Sequence, residues 1–183
     1  MERTITKITT QDIVHISIFA VLIALCSWIS IPTVVPFTLQ TMGVFTTVGV
    51  LGGKKGTLSV LIYILLGTIG VPVFAGFTGG IHSILGLSGG YIIGFLFSAL
   101  LMWGMEKIFG RSRIVLILSM LLGLLVCYGF GTLWFLFIYT AKNGAIGIIT
   151  ILGWCVIPFI IPDLLKIFVS IFLTEQLKKA IRE

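Results

Sequence analysis

The sequence predicts an all-α integral membrane protein with six transmembrane helices, arranged as a single domain over residues 1–183. Of the 183 residues, 58% are hydrophobic and only 10% are charged, whereas a soluble domain carries about 25% charged residues. A membrane-crossing helix needs roughly 20 mostly apolar residues, so the length allows about six crossings and leaves no room for a soluble domain. Most of the basic residues lie in short clusters between apolar runs, as expected for polar connections between membrane helices.

Proline and glycine mark the ends of the first three predicted helices. Residues 1–11 are polar, and helix 1 ends before Pro32, because proline disfavours a helical conformation in the preceding residue. Helix 2 is short and ends at the glycine-rich run 52–56, and helix 3 ends before Pro72. The predicted bounds are Asp12–Ile31 for helix 1, Thr38–Leu51 for helix 2 and Thr57–Gly70 for helix 3.

Polar turns and two prolines divide the second half of the chain. A charged turn at 106–113 separates helices 4 and 5, and a polar turn at 140–144 follows helix 5. Pro158 and Pro162 interrupt the last apolar stretch. We expect a half-helix, a break and then helix 6, and such breaks at membrane depth are tolerated where they line a cavity or are buried in protein. The predicted bounds are Gly89–Glu106, Ile114–Tyr139, Ala145–Ile157 for the half-helix and Asp163–Leu177.

The basic residues predict the orientation in the membrane. With a cytoplasmic N-terminus, ten of the twelve lysines and arginines fall in cytoplasmic segments, as the positive-inside rule requires. These ten are Arg3, Lys7, Lys54, Lys55, Lys107, Arg111, Arg113, Lys178, Lys179 and Arg182. We therefore expect a multi-pass plasma-membrane protein with both termini cytoplasmic, namely segment 1–11 and tail 178–183. The net charge of +6 then indicates topology and not a nucleic-acid partner.

Asp163 and Lys166 are charged residues within a predicted membrane helix. Their i,i+3 spacing places them on one helix face. A charge inside the bilayer costs roughly 3 kcal/mol and usually faces a cavity or a partner. The pair therefore predicts a polar floor for a ligand with donors and acceptors. The alternative is an Asp163 that caps the helix after Pro162 and a Lys166 that extends to the membrane edge.

The segment Pro72–Tyr91 predicts a lid over a ligand. It contains six glycines and no Asp, Glu, Lys or Arg, and glycine lets the backbone approach a ligand closely. Phe74, Phe77 and Tyr91 suit an apolar or ring-shaped solute. The alternative is tight helix packing with an ordinary turn. The segment also contains His82, but no second metal-binding side chain stands at ligand spacing, so we expect no metal site.

Catalysis and ATP hydrolysis are not expected. The chain has no nucleophile-and-base arrangement, no paired carboxylates and no phosphate-binding Gly-Lys-Ser/Thr loop. Cys26, Cys127 and Cys155 have neither metal nor redox spacing. Ala20 and Ala24 form a small-xxx-small pattern, which permits close approach of two membrane helices but is common by chance.

Six segments together resemble the BioY family, the biotin-specific S components of energy-coupling factor (ECF) transporters. They are spread over nearly the whole chain, and their combination is far more specific than any one of them. The segments are Ile31-Pro32 to Pro36–Thr41, Leu51–Gly56, Gly70–Gly76, Gly89-Gly90-Tyr91, Gly131–Trp134 and Pro162–Lys166.

The resemblance implies a six-helix S-component bundle with an outward-facing pocket, closed by the loops after helices 1 and 3. Asp163 is then expected to accept the ureido N–H groups of biotin, and Lys166 is expected to donate in the same polar network. Tyr91 and the segment Phe74–Thr78 are expected to wall the pocket. The expected ligand contacts are Asp163, Lys166, Tyr91, Phe74, Gly76, Phe77, Thr78 and Gln40.

The resemblance also implies protein partners, namely a transmembrane coupling subunit and two cytoplasmic ATPase subunits. Ala20 and Ala24 match the small-residue face that S components present to the coupling subunit. No cofactor is expected. The competing interpretation is an autonomous facilitator or secondary carrier for biotin or another small vitamin, although the chain lacks the matched repeats expected of many such carriers.

Overall fold

The structure, a computed structural model, describes residues 8–182, and side chains as far as residue 179. Residues 1–7 of the expected cytoplasmic N-terminal segment and Glu183 of the expected tail lie outside the described residues. The helices are α1 (Thr10–Trp28), α2 (Gln40–Leu51), α3 (Gly53–Thr68), α4 (Ile81–Ile84), α5 (Gly89–Phe109), α6 (Arg113–Asn143), α7 (Ile148–Cys155) and α8 (Ile160–Arg182). Two short strands, β1 (Ser30–Ile31) and β2 (Phe37–Thr38), pair antiparallel between α1 and α2.

The expected count of six helices is not confirmed, because the described residues form seven helices of at least eight residues and the single-turn helix α4. The difference arises at the proline break. A 3₁₀ turn over Ile157–Phe159 separates α7 from α8, and α8 begins at Ile160, three residues before the expected start. Pro162 therefore lies in the first turn of a helix, where its missing N–H has no intrahelical partner to lose.

Several helices are long and apolar enough to cross a bilayer. These are α1, α5, α6 and the stretch Ile148–Lys179, which joins α7 to most of α8. Helix α2 has only 12 residues. The described chain is thus mainly helical and carries four candidate membrane spans.

Helices α5 and α6 interlock through glycines. A methyl group added at Gly90 would lie 2.2 Å from the Trp134 side chain, and one at Gly131 would lie 2.3 Å from the Tyr91 ring. The indole of Trp134 also donates to the Gly86 carbonyl across 3.0 Å. Gly90 on α5 therefore leaves room for the Trp134 ring of α6, and Gly131 on α6 leaves room for the Tyr91 ring of α5. These contacts fix the position of Tyr91 at the start of α5.

Four helices connect two cavities at opposite ends of the bundle. The larger cavity is lined by the first turns of α2, α5 and α8 and the middle of α6. The smaller one, of about 200 Å³, is lined by the last turns of α2 and α5, the start of α6 and the C-terminal part of α8. We call the end with the larger of these two cavities the cavity end. We call the other end the basic end, because seven of the described basic residues lie there. They are Lys54, Lys55, Lys107, Arg111, Arg113, Lys178 and Lys179.

Ion pairs fasten the turns at the basic end. Glu106 accepts both the Arg111 Nε–H and the backbone N–H of Gly53, each across 2.7 Å. Arg113 pairs with Glu175 across 2.9 Å. Together these contacts join the α2–α3 turn, the α5–α6 turn and the end of α8.

Ala20 and Ala24, the residues expected to contact a coupling subunit, are buried within the described bundle. Their relative exposures are 3% and 4%, and they belong to the main core, packed with residues of α2 and α3 such as Val44 and Val60. The small side chains let α1 approach its neighbours within this chain. Contact of these two residues with a coupling subunit stays a prediction.

Candidate ligand-binding site

The cavity at the cavity end has a volume of about 290 Å³, near the lower end of the roughly 300–1,000 Å³ usual for small-molecule sites. Residues of the connections after α1 and α3 contribute to its lining. Its apolar walls are formed by Val35, Pro36, Phe74, Ile92, Phe95, Leu124 and Phe159. Its polar lining includes Thr38, Gln40, Thr41, Thr78, Ser83, Ser88, Tyr91, Tyr128, Asp163 and Lys166.

Asp163, Lys166 and Tyr128 form a buried polar trio in this cavity. Asp163 Oδ1 accepts from Lys166 Nζ across 2.7 Å, and Asp163 Oδ2 accepts from the Tyr128 hydroxyl across 2.5 Å. Asp163 is 3% exposed and Lys166 is 6% exposed. Buried charges are tolerated where they are paired and hydrogen-bonded, so the pairing of Asp163 with Lys166 offsets the cost of burying both.

Lys166 is held from the opposite side by the segment after α1. The Phe37 ring lies 4.0 Å from Lys166 Nζ, within the range of a cation–π interaction. The ring of Phe37 also stacks on Phe159, with centroids 5.9 Å apart. Pairing of β1 with β2 matches Ile31 with Phe37 and so fixes this ring over the ammonium group.

Tyr91 faces the cavity from α5, and its hydroxyl already has a partner inside the protein. The Tyr91 and Thr132 hydroxyl oxygens lie 3.0 Å apart, close enough for a hydrogen bond. Because Gly131 leaves room for the ring, Tyr91 lies flat against α6 and presents mainly an aromatic wall.

The segment after α3 places Phe74 inward and Phe77 outward. Phe74 is 2% exposed and packs edge-on against Tyr63, with ring centroids 5.5 Å apart. Gly76 and Phe77 adopt left-handed backbone angles, with φ of 67° and 57°. This reverses the chain so that Phe77 is 64% exposed and stacks on Trp28.

The cavity therefore contains six of the eight expected ligand contacts. They are Asp163, Lys166, Tyr91, Phe74, Thr78 and Gln40. Gly76 and Phe77 do not line it, because the left-handed turn directs the Phe77 ring away from the cavity. Gln40 donates its amide to the Tyr63 hydroxyl across 3.0 Å, which orients it at the start of α2.

Tyr128 and Phe37 are the main site residues that the sequence did not predict. Tyr128 lies within a continuous apolar run, and its hydroxyl at membrane depth was the only local signal. Phe37 belongs to a short uncharged segment whose return to α8 depends on the strand pair. His82 is exposed and lies outside the cavity lining.

The arrangement suits a ring-shaped ligand with a polar edge. The trio offers acceptors on Asp163 and Tyr128 and donors on Lys166, and the rest of the cavity is mostly apolar. The described residues contain no group of three His, Cys, Asp or Glu side chains placed to hold a metal ion. Binding by hydrogen bonds and ring packing is the chemistry that this cavity supports.

Comparisons with known proteins agree on one family. A sequence model described as the BioY family matches residues 1–183. A probable biotin transporter BioY of Pyrococcus horikoshii is 40% identical over 92% of this chain and 96% of its own length. The biotin transporter BioY of Thermotoga maritima is 38% identical with the same coverage. A crystal structure of the S-component for biotin from an ECF-type ABC transporter superposes with a TM-score of 0.81, at 29% identity, covering 92% of this chain and 91% of the other.

Proposed function

The chain belongs to the BioY family, and on that premise we propose that it is the biotin-binding S component of an ECF-type ABC importer. It captures biotin at the outer face of the membrane and delivers it through an ATP-driven coupling module. The protein is not an enzyme in this role, since binding and delivery change no covalent bond of the ligand. The observation that carries the proposal is the buried Asp163–Lys166 pair in an otherwise mostly apolar cavity.

Biotin matches this cavity group by group. Its ureido ring carries two N–H donors around a carbonyl acceptor, and its thioether ring is apolar. We assign Asp163 as an acceptor for ureido N–H and Lys166 as a donor to the ureido carbonyl. Tyr91 and Phe74 pack against the rings, and Gln40 and Thr78 line the same volume. We assign the valerate carboxylate to the segment after α3, with backbone N–H groups of that segment as its donors.

The charge distribution supports an outward-facing cavity with both termini in the cytoplasm. Most of the described basic residues lie at the basic end, whereas Lys142 lies in the last turn of α6, at the opposite end of that helix. The positive-inside rule then assigns the basic end to the cytoplasm. The cavity end faces the outside, where biotin is captured.

Transport in this proposal needs partners. The chain has no nucleotide-binding loop, so energy comes from two cytoplasmic ATPase subunits through a transmembrane coupling subunit. Contact of Ala20 and Ala24 with the coupling subunit remains a prediction, which rests on the close helix approach that small side chains permit.

Reconstituted vesicles test the assignment against an autonomous carrier. Biotin uptake is measured with this chain alone and with the chain plus its coupling and ATPase subunits. We expect the chain alone to bind biotin without accumulating it, and the complex to accumulate it when ATP is supplied. Accumulation by the lone chain against a gradient would contradict the S-component role.

A further inference from the structure

Tyr128 faces the cavity from α6 with its hydroxyl hydrogen already used. The hydroxyl donates to Asp163 Oδ2 across 2.5 Å, and within residues 8–182 it makes no other hydrogen bond. A tyrosine hydroxyl has one hydrogen and can also accept through its oxygen lone pairs. Towards the cavity, Tyr128 Oη is therefore an acceptor.

The same contact divides the carboxylate of Asp163 between two neighbours. Lys166 occupies Oδ1 at 2.7 Å and Tyr128 occupies Oδ2. Each oxygen can accept a further hydrogen bond. If both N–H groups of a ligand bound the two oxygens of Asp163, however, they would compete with the bonds from Lys166 and Tyr128. Donation to a carboxylate also polarises the Tyr128 hydroxyl, which makes its oxygen a better acceptor.

We propose that Tyr128 is a specificity-determining residue whose Oη accepts the second ureido N–H of the ligand; this rests on the proposed function, in which the ligand is biotin. Asp163 accepts the first N–H, and Lys166 donates to the carbonyl between them. The trio then contacts every polar group of a cyclic urea. A ring that lacks either N–H leaves a buried acceptor unpaired, which is the situation in which a binding site discriminates strongly.

Calorimetry with three ligands tests this assignment on the detergent-purified chain. The ligands are biotin and its two derivatives methylated at one or the other ureido nitrogen. The proteins are the wild type, Tyr128→Phe and a matched control, Tyr139→Phe. Tyr139 lies on the same helix, stacks on Phe135 and does not line the cavity.

We expect methylation at either nitrogen to weaken wild-type binding by at least about fivefold, since an unmet buried partner costs roughly 1–3 kcal/mol. Tyr128→Phe should weaken biotin binding about three- to tenfold, the usual range for one neutral hydrogen bond. For the derivative methylated at the nitrogen that faces Tyr128, the same substitution should cause no further loss. For the other derivative, Tyr128→Phe should weaken binding by the same three- to tenfold as for biotin. The control variant Tyr139→Phe should bind all three ligands like the wild type.

The outcomes separate this proposal from the function on which it rests. If Tyr128 only orients Asp163, Tyr128→Phe weakens all three ligands by one common factor, and the specificity role is overturned while biotin binding stands. If the wild type does not bind biotin, both the proposed function and the role of Tyr128 are refuted. If Tyr128→Phe does not fold, the wild type still decides, because tolerance of methylation at either nitrogen would overturn the assignment.

Discussion

Replacing Asp163 with alanine separates ligand recognition from bundle stability. The substitution removes the acceptor of Lys166 and Tyr128 at once, and it leaves the ammonium group of Lys166, 6% exposed, with the Phe37 ring beside it. Removing one partner of a buried ion pair destabilises a protein by about 3–5 kcal/mol. Loss of hydrogen bonds between a charged group and biotin should weaken binding by about 1.5–3 kcal/mol, or roughly 10- to 150-fold in Kd.

The double variant Asp163→Ala, Lys166→Met distinguishes these two effects. Methionine keeps a flexible side chain of similar length without a charge, so thermal stability in detergent should recover most of the loss. Biotin affinity, measured by calorimetry on the same samples, should stay low because neither polar partner returns.

Two results would refute this reasoning. Unchanged biotin affinity in Asp163→Ala would reduce Asp163 to a helix-capping residue. Recovery of affinity together with stability in the double variant would show that the pair serves packing alone.

Two matched pairs of substitutions test the walls of the cavity. Gly131→Ala places a methyl group 2.3 Å from the Tyr91 ring, so we expect a stability loss of about 1–3 kcal/mol and weaker biotin binding. The control is Gly129→Ala on the same helix, whose methyl group meets nothing within 4 Å. This control should change neither thermal unfolding nor biotin affinity. Phe74→Ala empties a buried site and should cost about 3–5 kcal/mol, whereas Phe77→Ala, at a ring 64% exposed, should leave the calorimetric Kd near the wild-type value. Equal effects within either pair would contradict the assigned geometry.

The fold was predictable where local chemistry decides it. Gly52 ends α2 with a φ of 81°, and a residue in that conformation interrupts a helix in any tertiary context. The proline break was recognised, but the restart of the helix at Ile160 was not. Proline is compatible with a first turn, so the sequence alone did not determine on which side of Pro162 the helix begins.

The site was predictable where an energetic penalty makes residues conspicuous. Asp163 and Lys166 stand out because charges at membrane depth require a reason. Tyr128 does not, since a tyrosine in an apolar run carries no comparable penalty, and its contact with Asp163 joins residues 35 positions apart. The choice between Phe74 and Phe77 as the inward ring depends on one left-handed turn that residue types alone did not specify.

Ala20 and Ala24 show the limit of a pattern with two readings. Small residues four apart permit close helix contact, but the pattern does not say whether the neighbour belongs to the same chain. Within the described residues both alanines pack in the core of this bundle, and their contact with a coupling subunit stays a prediction.

The most direct test of the central claim is calorimetric titration of the purified chain with a panel of biotin, thiamin and riboflavin. The cavity, with its paired Asp163 and Lys166 and mostly apolar walls, predicts tight binding of biotin and no binding of the other two. Binding of thiamin or riboflavin in the absence of biotin binding would contradict the account.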